Sequence, residues 1–196
     1  MRLLPLLALL CTPLVVGAQD VAPTERPLAT FAAQRVAVTP VQFWRADSTG
    51  WSATTDGQAL RAQLDSAIAQ ELRARGMGTR WAYAGDVVRS ARRNPTLRAD
   101  PASLGAGRWR SQAPTPGDAL PPLVADNLRT VSALGDTRYA LIPVELRGHG
   151  GDVVLRLVIA DTRLRTVVWT ADLTAAGAGE AAANVAMRVA DLFVDP

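Results

Sequence analysis

The residue best suited to acid–base or metal chemistry is His149, the single histidine of a 196-residue chain. It stands in the glycine-rich turn sequence "GHGG" at residues 148–151. A hydrolytic triad would also need a serine nucleophile, and the chain has no Gly-x-Ser-x-Gly motif to present one. Metal sites combine several His, Cys or carboxylate ligands. We therefore expect His149 to be a solvent-exposed turn residue.

A pair of carboxylates would be the next candidate, because glycoside hydrolysis uses two of them. The acidic residues are spread over predicted loops, strands and helix faces: Asp65, Glu71, Asp86, Asp126, Asp136, Glu145, Asp152, Asp161 and Asp172. Nothing in their spacing brings two of them together, and there is no phosphate-binding loop or dinucleotide fingerprint. The sequence thus predicts no catalytic residue, no cofactor and no metal site.

Tryptophan and arginine are residues that often anchor protein interfaces. Trp109 lies between Arg108 and Arg110 in a polar, proline-rich stretch, and Trp51 lies in a polar loop. Our hypothesis is that Trp51, Arg108, Trp109 and Arg110 bind a partner protein. The alternative interpretation is that each tryptophan covers an edge of the core.

The composition is that of a globular protein, with 48% hydrophobic and 20% charged residues. Its 21 basic residues are all arginine, and the net charge is only +3. Because the arginines are dispersed along the chain, this charge does not predict a nucleic-acid partner.

The first residues have the pattern of a secretory signal peptide. Arg2 precedes an apolar stretch at residues 3–16 that is too short to span a bilayer comfortably, and small residues follow it. We predict a signal peptide over residues 1–18, cleaved after Ala18. Lipidation at Cys11 is disfavoured, because Cys11 follows a leucine and lies inside the apolar stretch.

Cleavage would leave a chain without cysteine, and no second long apolar stretch follows. The exported protein is therefore expected to have no disulfide and not to be an integral membrane protein. We expect it in the periplasm or associated with the outer envelope.

The apolar periodicity predicts alternating strands and helices in a single domain over residues 35–196, after a flexible leader at 19–34. An irregular, exposed loop is expected at 95–120, where proline, glycine and arginine are frequent. The predicted strands are 35–44, 79–84, 138–147, 153–160 and 166–173, and the predicted helices follow residues 56, 84, 121 and 178.

The resulting order is β-α-β-α-α-β-β-β-α. Two strands that flank a helix are expected to be parallel, whereas the last three should form an antiparallel meander. This predicts an α+β fold, with a single mixed sheet of about five strands and helices packed on it. If Asp161 pairs with Thr166 in the last hairpin, Ile159 lies opposite Val168 and Val158 opposite Trp169.

Two segments resemble a known group of envelope proteins. "SALGDTRYALIPVEL" and "LRLVIADTRLRTVVWTADL" are similar to a strand and a hairpin of the TolB amino-terminal domain, the curli secretion protein CsgG and LpoB. The sharp similarity covers residues 130–173, and Leu164-Arg165 stands where the group usually has Thr-Gly. The resemblance implies a non-enzymatic module that binds other envelope proteins.

The expected function is therefore a protein-binding or assembly module of the cell envelope. The alternative is a small periplasmic enzyme or a protein that binds cell-wall glycan. A deep cleft with converging polar groups would favour the enzyme, and a shallow tryptophan–arginine surface would favour the binding module.

Overall fold

The computed structural model describes residues 26–177 and 179–194. The predicted signal peptide, its cleavage site and Cys11 lie outside the described residues. In the part of the chain that is described, no helix is both long and apolar enough to cross a membrane.

One mixed sheet organises the fold. Its strands are β1 (Val36–Val38), β2 (Phe43–Arg45), β3 (Trp81–Ala82), β4 (Tyr139–His149), β5 (Asp152–Asp161) and β6 (Thr166–Ala176). The strand order is β3-β1-β4-β5-β6, and β2 pairs with the carboxyl-terminal half of β4. β1, β2 and β3 make parallel pairs, and β4, β5 and β6 form the antiparallel meander. The predicted α+β class and mixed sheet are confirmed.

Helices cover both faces of the sheet. They are α1 (Ala29–Ala32), α2 (Gly57–Leu72), α3 (Ala84–Arg93), α4 (Arg108–Ser111), α5 (Pro122–Gly135) and α6 (Ala181–Asp191). On one face, α1, α2 and α6 pack over alternate β5 residues such as Leu155 and Leu157. On the other face, α4 and α5 pack over Val158 and Ala160. Since both faces of β5 are covered, its nearly continuous apolar sequence is explained.

The first predicted strand is split in two, so the described sheet has six strands rather than about five. The break between β1 and β2 lies at Pro40, which has no N–H group, and at Val41, whose N–H group donates to Asp65 of α2 instead of to β4. Pro143 of β4 acts similarly, and the register with β5 shifts between Pro143 and Glu145. This shift places Glu145 on the α4 face, where it meets Arg110, whereas Leu146 packs in the layer on the opposite face.

Helix α2 agrees with the prediction, but the capping box that the spacing of Thr55 and Gln58 indicates is not the cap that forms. The side chain of Asp56, rather than that of Thr55, accepts hydrogen bonds from the N–H groups of Gln58 and Ala59, at 2.9 and 3.2 Å. Aspartate is as good an N-cap as threonine, and here it is one residue closer to the helix.

The last hairpin pairs Asp161 with Thr166 as predicted, but the register beyond that pair is wrong by one residue. Ile159 lies opposite Trp169, because Val168 is an extra residue in a β-bulge. Asp161 holds the turn by accepting hydrogen bonds from the N–H groups of Arg163 and Leu164. Arg165 then adopts a φ of +58°, in the position where the resembling proteins have glycine.

Most of residues 95–120 are irregular and exposed, but the segment is anchored to the core at several positions. Leu104, Ala106 and Leu120 are buried under the sheet face that α4 and α5 cover. Buried Gln42 fastens the segment, since its amide nitrogen donates to the Pro101 carbonyl at 2.9 Å and its amide oxygen accepts from the Leu104 N–H group at 2.8 Å. The sequence prediction missed this contact because it spans about sixty residues of chain.

The expected leader at 19–34 is described from Arg26 onward, and this part is folded. Leu28 is fully buried, and its N–H group donates to the Leu192 carbonyl at 3.1 Å. Phe31 of α1 packs edge-on against Tyr139, with 5.0 Å between the ring centroids. This segment therefore joins the layer formed by α2 and α6.

Asp65 of α2 is a partly buried carboxylate that accepts a hydrogen bond from the Val41 N–H group at 2.9 Å. Burial raises the pKa of Asp65 to about 6, although the Val41 hydrogen bond and the charge of Arg61 act in the opposite direction. The folded chain therefore binds this proton more tightly than the unfolded chain does. The ionised carboxylate lowers stability above pH 6, and this loss is relieved as the pH falls toward about 4.

We therefore predict that Asp65→Asn raises the free energy of unfolding by about 1–2 kcal/mol near pH 8, and by much less near pH 4. Asparagine keeps an acceptor oxygen for the Val41 N–H group but carries no charge. Urea unfolding at the two pH values measures the difference. An equal effect at both values would contradict the prediction.

Candidate protein-binding surface

Trp109 is part of the core. Its side chain is only 5% exposed, and it belongs to the apolar cluster that includes Leu104, Leu120 and Val124. The prediction of an exposed tryptophan anchor at this position is wrong, because α4 directs the ring inward while Arg108 and Arg110 remain accessible to solvent. Partner binding by the two arginines stays a prediction.

Arg108 lies beside a shallow hollow at one end of α4. The hollow has a volume of about 280 Å³ and is lined by Arg108, Trp109, Gln112, Ala113, Pro114, Asp118, Ala119 and Pro121. It is open to solvent on one side, so it offers a surface contact rather than an enclosed site.

Trp51 lies on the other face of the sheet, away from Arg108 and Arg110. Its ring packs near Trp44, and a Cβ atom at Gly177 would lie 2.5 Å from the ring. The half-buried Trp51 therefore covers a core edge formed with α2 and α6. The structure does not bring the four predicted partner-binding residues together.

Two half-exposed arginines are held by a single buried carboxylate. Glu145 has no exposed side-chain surface, whereas Arg45 and Arg110 keep 52% and 41% of theirs. Arg110 Nε donates to Glu145 Oε1 at 2.8 Å, and Arg45 Nη2 donates to Glu145 Oε2 at 3.1 Å. The guanidinium group of Arg110 also lies 4.9 Å from the centroid of the Phe43 ring.

A second carboxylate extends this arrangement toward β6. Asp172 accepts two hydrogen bonds from Arg156, at 2.8 and 2.9 Å, and one from Arg147 at 2.5 Å. Arg156 also donates to the Trp109 carbonyl at 2.8 Å, which ties α4 to the sheet. Hydrogen bonds, first from Arg156 and then from Arg147, hold the pKa of Asp172 below its usual range against the effect of partial burial.

We call Arg45, Arg110, Arg147 and Arg156, together with Glu145 and Asp172, the arginine cluster. Its residues share one sheet face, because side chains two residues apart on a strand point the same way and because Glu145, Arg156 and Asp172 are register neighbours. Four guanidinium groups meet two carboxylates, so the cluster has two excess positive charges.

His149 lies next to the arginine cluster and is exposed, as predicted. A shallow groove of about 430 Å³ is lined by Arg45, Ala46, Asp47, Arg147, Gly148, His149 and Val154. Asp47 accepts a hydrogen bond from the Gly150 N–H group at 3.0 Å, and this bond is the main reason why the pKa of Asp47 is lowered. The arginine and histidine side chains of this groove face solvent, and the groove is not a closed cavity.

Among residues 26–177 and 179–194, no group of three His, Cys, Asp or Glu side chains is placed to hold a metal ion. The arginine cluster is instead suited to binding carboxylate groups, because arginine offers paired donors to them.

The sequence interpretation missed the arginine cluster, with the exception of Arg110. A signal was present, since Glu145 and Arg156 interrupt strands that are otherwise apolar. A charged residue within a buried strand needs a partner of opposite charge. The partners are separated by up to one hundred residues of chain, so their identity could not be read from spacing.

No family model matches the chain, and no curated protein matches it by sequence. Among solved structures, E. coli LpoB is 11% identical with a TM-score of 0.46, over 89% of this chain and 82% of that one. The C-terminal domain of LpoB from Salmonella enterica is 11% identical with a TM-score of 0.44, over 76% of this chain and 93% of that one.

A dodecamer of PelC from Paraburkholderia phytofirmans also matches, at 17% identity and a TM-score of 0.39, over 83% of this chain and 91% of that one. These TM-scores are low, and the matches carry no argument about what the chain binds. The chain resembles LpoB in fold, and LpoB is one of the proteins to which the sequence of residues 130–173 is similar.

Proposed function

We propose that this chain is an exported, non-enzymatic protein-binding module of the cell envelope, and that its arginine cluster binds an acidic segment of a partner protein. The observation that carries this proposal is the sharing of buried Glu145 by two half-exposed arginines. Export is supported by the signal-peptide pattern of residues 1–18.

Glu145 matters because it fixes both guanidinium groups before a partner arrives. A free arginine side chain loses about 2 kcal/mol of rotamer entropy when it is immobilised, which weakens binding. Arg45 and Arg110 have already lost much of this freedom in the folded chain, since each donates to the same carboxylate. A partner would therefore meet donors that are already in position.

The excess positive charge favours a partner that carries carboxylates. Arginine binds carboxylates through two parallel hydrogen bonds, and the groove beside Arg45, Arg147 and His149 is open to solvent. A partly exposed charge cluster is screened by salt, so binding should weaken as ionic strength rises.

The test is a double variant, Arg45→Gln with Arg147→Gln. Each carboxylate keeps one arginine in this variant, because Arg110 still pairs with Glu145 and Arg156 still pairs with Asp172. The matched control is Arg92→Gln with Arg188→Gln, two exposed positions on α3 and α6 with the same change in charge.

Each full-length protein is immobilised after purification, and the envelope proteins that it retains from an extract are quantified. We expect retention of the specific partners to fall at least about tenfold for the cluster variant and to be unchanged for the control. Equal retention by both variants would contradict the proposal. So would cluster-dependent capture of purified cell-wall glycan without capture of any protein.

A further inference from the structure

Strand β6 ends the sheet, and its outer edge is covered at the beginning and at its last carbonyl, Ala176, which accepts a hydrogen bond from the Asn184 side chain at 3.2 Å. The Gly117 N–H group donates to the Val167 carbonyl, and the Val167 N–H group donates to the Asp118 carbonyl, both at 2.8 Å. From Val168 to Ala176, no strand in the described part of the chain pairs with this edge.

The backbone direction along this free edge follows from one hydrogen bond. The Gly177 N–H group donates to the Gly151 carbonyl at 3.0 Å, so Gly177 points its backbone groups toward β5. The register between β5 and β6 is unbroken from Ala176 back to Trp169, and successive residues of a strand point in opposite directions. Thr170, Asp172 and Thr174 therefore direct their N–H and C=O groups outward.

This edge lacks the devices that protect sheet edges. Residues 168–176 contain no arginine, lysine or proline, and their one charged residue is Asp172. The Asp172 charge is already paired with Arg156 and Arg147 of its own sheet. On the α6 side of the edge, Trp169 and Leu173 are only half-buried.

We propose that a second copy of this chain pairs with the free edge of β6, antiparallel and about a two-fold axis at Ala171. Outward-pointing residues must face one another in such a pair, so the axis has to pass through a residue rather than between two. An axis at Asp172 would place two like charges opposite each other, which is unfavourable. An axis at Thr170 would bring Leu173 of the second copy against the covered backbone of Val167, so that only residues 168–172 could pair.

With the axis at Ala171, the side chains are complementary. Trp169 lies opposite Leu173 of the second copy on the α6 side, and this apolar pair occurs twice. Thr170 lies opposite Asp172 of the second copy, so the two aspartates are kept apart. An axis at Leu173 would instead place Trp169 opposite Gly177, which offers no side chain to pack against. Pairing of residues 168–174 also stops before the covered Val167.

This inference does not depend on the proposed function, because the dimer uses the sheet edge and the partner protein uses the arginine cluster on the sheet face. The two tests have different readouts. Either one can fail while the other holds.

Cross-linking tests the edge pairing directly. Cys11 is the single cysteine, so a full chain with Cys11→Ser and Ala171→Cys has one thiol. Opposite residues of a pair without mutual hydrogen bonds have Cα atoms about 4.5 Å apart, which a disulfide can bridge. We expect Ala171→Cys to form disulfide dimers roughly ten times faster, or more, than Ala183→Cys, an exposed position on α6.

A second variant tests the same edge without a cysteine, in case Ala171→Cys perturbs β6. Thr174→Pro removes an N–H group that points outward and leaves the pairing with β5 intact. Edge strands tolerate proline at positions whose N–H group faces solvent. Light scattering should show a dimer for the original chain and a monomer for Thr174→Pro, with similar unfolding temperatures. A monomeric original chain, or equal cross-linking rates for Ala171→Cys and Ala183→Cys, would overturn the inference.

Discussion

Trp109→Ala is expected to lower the free energy of unfolding by about 3–5 kcal/mol, because it empties a large volume in a packed core. The Trp109 side chain is 5% exposed and lies in the cluster under α4 and α5. Collapse around the missing ring is restricted, since the Trp109 carbonyl accepts a hydrogen bond from Arg156 that holds α4 in place. Denaturant unfolding of the purified variant measures the loss.

The matched control is Arg108→Ala, the preceding residue on the same short helix. Arg108 is exposed, so its replacement should change stability by no more than about 0.5 kcal/mol. If Trp109→Ala were as mild as Arg108→Ala, the ring would not be buried, and the interpretation of Trp109 as a surface anchor would return.

Leu157→Ala should lower the free energy of unfolding by about 2–5 kcal/mol, because Leu157 is fully buried in the central strand β5. Its neighbours in the sheet are Pro143 of β4 and Ala171 of β6, and helices cover the face to which it points. Rigid neighbours on all sides leave a cavity when the side chain is shortened.

The chain offers a control of the same residue type. Leu164 lies in the turn between β5 and β6 and is 67% exposed, so Leu164→Ala should change stability by no more than about 0.5 kcal/mol. The comparison removes differences in helix or strand propensity between residue types. A loss below about 1 kcal/mol for Leu157→Ala would mean that β5 is not a central buried strand.

Local periodicity was sufficient to predict the long elements. The apolar repeat of α2 and the alternation in β5 and β6 depend on neighbouring residues, and all three elements lie where the pattern placed them. The order of strands and helices then predicted the mixed sheet, because parallel and antiparallel connections differ in length.

Contacts between distant residues account for the errors. The bulge at Val168 moved the hairpin register by one residue, and no local pattern marks it. Trp109 looked exposed because arginines flank it, yet a single helical turn is enough to bury one side chain and expose its neighbours. The partners of Gln42 and Glu145 come from other parts of the chain, so the sequence could not show that they hold residues 95–120 and the arginine cluster in place.

The burial of Leu28 against α6 has a consequence for orientation. The polypeptide enters the described fold on the α2 and α6 side of the sheet, since the Leu28 N–H group is fixed to the Leu192 carbonyl. The arginine cluster lies on the opposite side. If the molecule were attached to a support through the segment before Arg26, the guanidinium groups of the arginine cluster would therefore face away from the point of attachment.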